Sequence, residues 1–146
     1  MSYSALIIVF ALLPVNSGLL GIGRRQSVAV TGHLQCNGNP ASNVKVKLYE
    51  KEVCKILLVL DRKMDEGRTD STGWFKLSGS KREITTIDPK LNIYHKCNYA
   101  GLCYKKVSIT IPDTYITRGS IPQSTFDIGT INLASKFPGQ SIDCIN

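Results

Sequence analysis

The stretch V-A-V-T-G-H-L-Q-C, Val28 to Cys36, decides how the rest of the chain is read. Val28, Val30, Gly32, Leu34 and Cys36 fall on one side of a two-residue period, and Ala29, Thr31, His33 and Gln35 on the other. Successive side chains of an extended backbone point to opposite faces, so this alternation predicts a strand with one buried face. Asn37-Gly38-Asn39-Pro40 follows directly and predicts a tight turn, since Asn and Gly tolerate positive φ and Pro fixes its own.

The same period recurs outward from this strand. Val44, Val46 and Leu48 point one way and Lys45, Lys47 and Tyr49 the other. Ile56 to Leu60 is apolar on both faces and is followed by a polar stretch, Asp61 to Asp70, which reads as a solvated loop. In Thr69-Asp70-Ser71-Thr72-Gly73 the Asp caps a turn and the Gly supplies its unusual dihedral, before a strand with Phe75 and Leu77 on one side. Leu91 to Cys97 and Cys103 to Ile111 predict a hairpin, ended by Pro112, which cannot donate to a ladder. Near the end the phase slips from Phe126 and Ile128 to Ile131 and Leu133, and an extra residue at Gly129 explains this as a β-bulge. No long amphipathic helical pattern, repeat or linker interrupts the series. About seven to eight short strands with turn punctuation predict an all-β, two-sheet sandwich.

The chain has 146 residues, enough for one domain with one core. With 42% apolar and 20% charged residues it has a globular composition rather than a disordered one. Ala5 to Leu13 is an unbroken apolar run, followed by Pro14, with Val15 and Ser17 at the third and first places before Gly18. That layout predicts a signal peptide over residues 1–17, and the run is too short to span a bilayer. Residues 18–27 then form an N-terminal extension and residues 28–146 the sandwich. Secretion sets the reading of the five cysteines, because disulfides persist in oxidising compartments and an even subset should pair. Zinc is the weaker reading, since no C-x-x-C is present and Cys97 and Cys103 are too far apart for a zinc knuckle. A net charge of +7 favours acidic partners such as anionic lipid, sulfated sugar or acidic protein surfaces, and nucleic acid is not expected outside the cell.

Several stretches resemble one family. They are G-H-L-Q-C-N-G-N-P-A-S-N-V-K-V-K-L-Y-E (Gly32 to Glu50), M-D-E-G-R-T-D-S-T-G-W-F-K-L-S-G-S (Met64 to Ser80) and T-T-I-D-P-K-L-N-I-Y-H-K-C (Thr85 to Cys97). C-Y-K-K-V-S-I-T-I-P (Cys103 to Pro112), F-D-I-G-T-I-N-L-A (Phe126 to Ala134) and D-C-I-N (Asp143 to Asn146) continue the series. Together they resemble the nematode transthyretin-like proteins, in that family's order and over nearly the whole chain beyond the signal segment. The resemblance implies a secreted, prealbumin-like sandwich, in general without enzymatic activity and without a cofactor, whose members include extracellular binders. It also implies four paired cysteines, Cys36, Cys97, Cys103 and Cys144, with Cys54 outside the pattern as a free or intermolecular thiol. Four cysteines allow three connectivities; our expectation is Cys36 with Cys144, and Cys97 with Cys103 closing the hairpin loop.

The enzymatic alternative comes from hydroxyisourate hydrolases, which are similar in the G-x-P-A-x-x-V-x-V-x-L layout seen here from Gly38 to Leu48. His33 stands roughly where such an enzyme places a histidine. However, its spacing to the glycine is two residues shorter, and Asp-Cys-Ile-Asn replaces the Tyr-Arg-Gly-Ser ending. One histidine on a polar strand face does not assemble the base and charge stabilisers that hydrolysis needs. His95 shares a face with Leu91, Ile93 and Cys97 and is expected to be packed, with a ring nitrogen bonded to backbone. Asp61, Asp65, Glu66 and Asp70 do not match a calcium loop, and no metal site or catalytic residue is assigned. The best binding candidate follows if the second strand, the Leu91 strand and the Cys103 strand are neighbours. Their outward residues Lys45, Lys47, Tyr49, Tyr94, Lys96, Tyr104 and Lys106 would then form one basic and aromatic face. Trp74, pointing away from Phe75 and Leu77, is a further contact candidate.

Overall fold

The computed structural model describes residues 22–53 and 59–146. The predicted signal segment and Cys54 lie outside the described residues, as does most of the apolar run from Ile56. The strands are β1 (Arg24–Cys36), β2 (Asn39–Pro40), β3 (Lys45–Val53), β4 (Val59–Arg68), β5 (Trp74–Glu83), β6 (Pro89–His95), β7 (Tyr104–Thr110), β8 (Thr117–Arg118), β9 (Thr125–Asn132) and β10 (Ser141–Asp143). They form two sheets. In the first, β1 is central: β5 pairs along one side, while β2, β8 and β9 pair with β1 as well. The second runs β10-β7-β6-β3-β4.

The alternation read from Val28 to Cys36 is the core-facing period of β1. Val28, Val30 and Leu34 are fully buried, while His33 is exposed. They pack with Phe75 and Leu77 of β5 against Val46, Leu48, Leu91, Ile93 and Val107 of the second sheet, and Leu133, Ile87 and Ile111 complete the cluster. Each such side chain contributes roughly 1.5–3 kcal/mol by leaving water, so this shared interior holds the two sheets together. Gly32 falls on the inward face because nothing larger fits: a Cβ there would stand 2.3 Å from Cγ1 of Ile128.

Local chemistry sets the turns. Asn37 and Gly38 both take positive φ, 53° and 81°, which suits the two-residue reversal from β1 into β2. Asp70 Oδ1 accepts from the Thr72 and Trp74 amides at 2.9 and 3.0 Å, tying the reversal that leads into β5. The slip near Gly129 is a bulge. Thr31 pairs with Asp127 but His33 with Thr130, so β9 carries one residue more than β1 across this interval. Gly129 supplies the positive φ of 70° that the extra residue needs, and its amide donates to Asp127 Oδ1 at 2.8 Å.

Three expectations are corrected. The stretch from Asp61 is strand, since β4 runs through to Arg68 paired with β3, and only Thr69 and Asp70 lie in the turn. β4 is an edge strand, and its charged residues are the kind that protect an open edge, which hid the strand period. The first sheet also begins earlier than the alternation indicated: Arg24 to Ser27 already pair with Glu83 to Ser80. Gln26 fixes this start, donating to the Thr85 carbonyl at 2.7 Å and accepting from the Ile87 amide at 3.2 Å.

The third correction concerns the disulfides, which join Cys36 to Cys97 and Cys103 to Cys144 rather than Cys36 to Cys144 and Cys97 to Cys103. Cys97 turns into the core cluster, where Cys36 at the end of β1 meets it, so this bond ties one sheet to the other. Cys103 precedes Tyr104, which pairs with Asp143 of β10, and that register carries Cys103 to Cys144.

Candidate functional site

The outer face of the second sheet is built from cross-strand rows. β3, β6 and β7 are neighbours, as the candidate face requires, and β4 extends it on one side. One row runs Glu66, Lys47, Asn92, Ser108, and the next Arg68, Lys45, Tyr94, Lys106.

The first row is internally satisfied. Ser108 Oγ donates to Asn92 Oδ1 at 2.7 Å, and Asn92 Nδ2 donates to the Tyr94 hydroxyl at 3.3 Å. Lys47 lies 3.9 Å from Glu66, and its ammonium sits 5.3 Å from the centre of the Tyr94 ring. The Lys63 hydrogen bond, with help from the Lys47 charge, holds the Glu66 carboxyl below its usual range. Burial pushes the Tyr94 hydroxyl well above the ordinary phenol value, so it stays protonated and acts as a neutral donor or acceptor.

The chain's own final residues cover part of this face. Lys47 donates to the Asn146 side chain, and Lys106 lies 3.6 Å from Asp143. Burial works to raise the Asp143 carboxyl, but hydrogen bonds from Asn146 and Ile145 and the charge of Lys106 together hold it below the usual range. Lys47 and Lys106 are therefore partly neutralised, and Lys47 is only 8% exposed.

At the corner beyond this cover the face stays open. A cavity of about 230 Å³ is lined by Lys45, Arg68, Lys96, Tyr94, Tyr104 and His95, among others. Lys96 sits 5.0 Å from the centre of the Tyr104 ring and reaches the carbonyls of Gly101 and Leu102 at 3.3 and 3.4 Å. Arg68 donates to the Asn43 carbonyl at 2.9 Å. His95 is 2% exposed; its Nδ1 accepts from the Cys97 amide at 3.1 Å, and burial with the nearby Lys105 charge lowers its pKa to about 4.

The sequence placed Lys45, Lys47, Tyr94, Lys96, Tyr104 and Lys106 on neighbouring strands, and five of them gather around the Tyr94 row and the cavity. Tyr49 pairs with Lys90 of β6, beyond a shift in the β3–β4 register, and its side chain still reaches Tyr94 by a hydrogen bond. Trp74 belongs to the other sheet, opposite His33, and is 40% exposed. Arg68 is not among the residues the sequence puts on this face, because charge along β4 masks the strand period; its signal is its place two residues before the Asp70 turn. Among the described residues no group of three or more His, Cys, Asp or Glu could hold a metal ion. The acidic residues of β4 have other work: Asp61 binds Lys90, and Asp65 Oδ2 accepts from the Ser78 amide at 2.9 Å.

These features define an all-β, two-sheet sandwich with two disulfides and a basic, aromatic outer face. Residues 31–112 match the model of the transthyretin-like family (TTR-52). Transthyretin-like protein 5 of Caenorhabditis elegans is 44% identical over 141 residues, covering 95% of this chain and 99% of that protein. Transthyretin-like protein 2 of the same organism is 44% identical, covering 86% of each chain, and transthyretin-like protein 16 is 31% identical, covering 94% and 97%. The chain belongs to the transthyretin-like family. No helix among the described residues is long and apolar enough to cross a membrane.

Proposed function

We propose that this is a secreted, non-enzymatic binding protein that recognises anionic groups, on lipid, glycan or acidic protein, through the outer face of its second sheet. The observation that carries the reading is the gathering of Lys45, Lys96 and Arg68 with Tyr94 and Tyr104 around one open corner of that face. Cations beside aromatic rings combine long-range attraction with flat apolar contact, which suits an acidic head group in water. Secretion is supported by the Ala5 to Leu13 layout and by two disulfides, one of them joining the sheets.

Against hydrolysis stands the surroundings of the histidines. His33 is exposed on the first sheet, and the one imidazole at the cavity, His95, is buried and held neutral at ordinary pH. Among the described residues neither imidazole hydrogen-bonds a carboxylate that could orient it as a base, and the Asp70 carboxyl near His33 is taken up by the Thr72 and Trp74 amides. The test is binding of the oxidised protein to vesicles containing anionic phospholipid and to immobilised sulfated glycan, across a salt series. The reading predicts affinity that falls steeply with salt and drops when Lys45 and Lys96 are both replaced by Gln. Salt-independent affinity, or turnover of hydroxyisourate that is lost in His33→Ala, would overturn it.

A further inference from the structure

We propose that the cavity at the Arg68–Lys45–Tyr94 corner is a cradle for a single tetrahedral oxyanion group, a phosphate or a sulfate. This rests on the reading that the face binds anions, and it makes Arg68 the forked ligand of the site.

The argument starts from the ladder. Arg68 and Lys45 are direct partners across β4 and β3, so two cations face each other at the closest cross-strand position. Like charges placed directly opposite weaken a sheet, and the next row, with Glu66 opposite Lys47, has opposite signs. Lys96 brings a third cation to the same cavity from beyond the end of β6.

Among the described residues, none of Lys45, Arg68 and Lys96 forms an ion pair. Lys47, Lys63, Lys81, Lys90 and Lys106 all do. Glu66, whose carboxyl also feels Lys45, is held by Lys63 at 2.8 Å. What Arg68 and Lys96 do contact are backbone carbonyls, which fix their direction without cancelling their charge. A guanidinium anchored in this way keeps further N–H donors for a tetrahedral oxyanion, and the two ammonium groups supply the balancing charge. The wall also carries His95, whose Nδ1 accepts a backbone amide. The ring proton therefore sits on Nε2, which is itself buried, so the imidazole adds no charge to the wall. The spare donors are those of Arg68, Lys45 and Lys96, and the lining holds no carboxylate.

The experiment is a titration of the isotope-labelled, oxidised protein with inorganic phosphate and with inorganic sulfate, at ionic strength held constant with sodium chloride. The cradle predicts saturable amide shifts confined to the ends of β3, β4 and β6 around Lys45, Arg68 and Lys96. Arg68→Gln weakens them about tenfold, Lys45→Met does so in a second background, and Lys76→Gln on the other sheet leaves them unchanged. Parallel arms with a sulfated disaccharide and with a soluble short-chain phospholipid show which carrier of the group is preferred. Shifts spread over the whole face, or indifferent to Arg68→Gln and Lys45→Met when both variants are folded, overturn the cradle. If salt-dependent binding to anionic vesicles persists in that case, the broader reading of the face survives; if it is absent too, both fall.

Discussion

The backbone N–H of Cys97 donates to Nδ1 of His95 at 3.1 Å, two residues back along the chain and beside the bond that joins the two sheets. This contact requires a lone pair on Nδ1, so the folded protein holds the neutral ring with its proton on Nε2. Burial and the Lys105 charge act the same way, lowering the pKa from 6.5 to about 4.

Stability is therefore expected to depend on pH through His95. Below pH 6.5 the unfolded chain takes up a proton that the folded ring refuses, until about pH 4. The His95 contribution is thus complete above 6.5 and is lost as pH falls through this window, on the order of 3 kcal/mol. Urea unfolding across the window should show that slope, and His95→Gln should remove it while leaving the slope due to carboxylates.

The two disulfides should differ in what they release rather than in how much they stabilise. Their loops, 61 and 41 residues, are similar in closure entropy, so removing either pair to Ser should cost about 2–5 kcal/mol. Loss of Cys36–Cys97 frees one sheet from the other and should raise amide exchange throughout the core. Loss of Cys103–Cys144 should raise exchange chiefly in β10 and the residues after it. Non-reducing peptide mapping should recover Cys36 linked to Cys97.

Gly32→Ala is expected to destabilise by about 1–3 kcal/mol, because the new methyl meets the Ile128 side chain at 2.3 and 2.8 Å. Ile128→Ala made in the same chain opens that space, and the double variant should recover part of the loss. Thermal unfolding of the two single variants and the double variant measures the coupling.

Asp143→Asn should strengthen binding to anionic vesicles. It removes the carboxylate 3.6 Å from Lys106 and leaves the face one charge more positive. A charge near an anionic membrane surface changes affinity about fivefold at low ionic strength. Co-sedimentation at low and high salt should show the gain only at low salt.

Much of the fold could be read from residue order, because side-chain period and turn chemistry are local properties. Val28 to Cys36 displays its buried face without reference to any other segment. The Gly129 bulge shows as a change of phase, and Asp70 with Gly73 announces its turn. β4 could not be read this way. Its edge position puts charge along the strand, and a register shift between Leu48 and Tyr49 disturbs the pairing that would have revealed it.

The candidate site was legible only in part, for a related reason. Alternation shows which residues of β3, β6 and β7 share a face but not which charges meet across it. Glu66 and Asp143 neutralise Lys47 and Lys106 from elements distant in sequence, while Arg68 joins Lys45 from a strand the sequence concealed.

The sequence by itself determined the class of fold and the inward residues of β1, β3 and β6, and its family resemblance implied the four cysteines that pair. The tertiary structure decided which cysteine meets which, and which lysines remain uncompensated. A strand's period is set by its own backbone, whereas a disulfide partner or a counter-charge is set by which strands the shared core brings side by side.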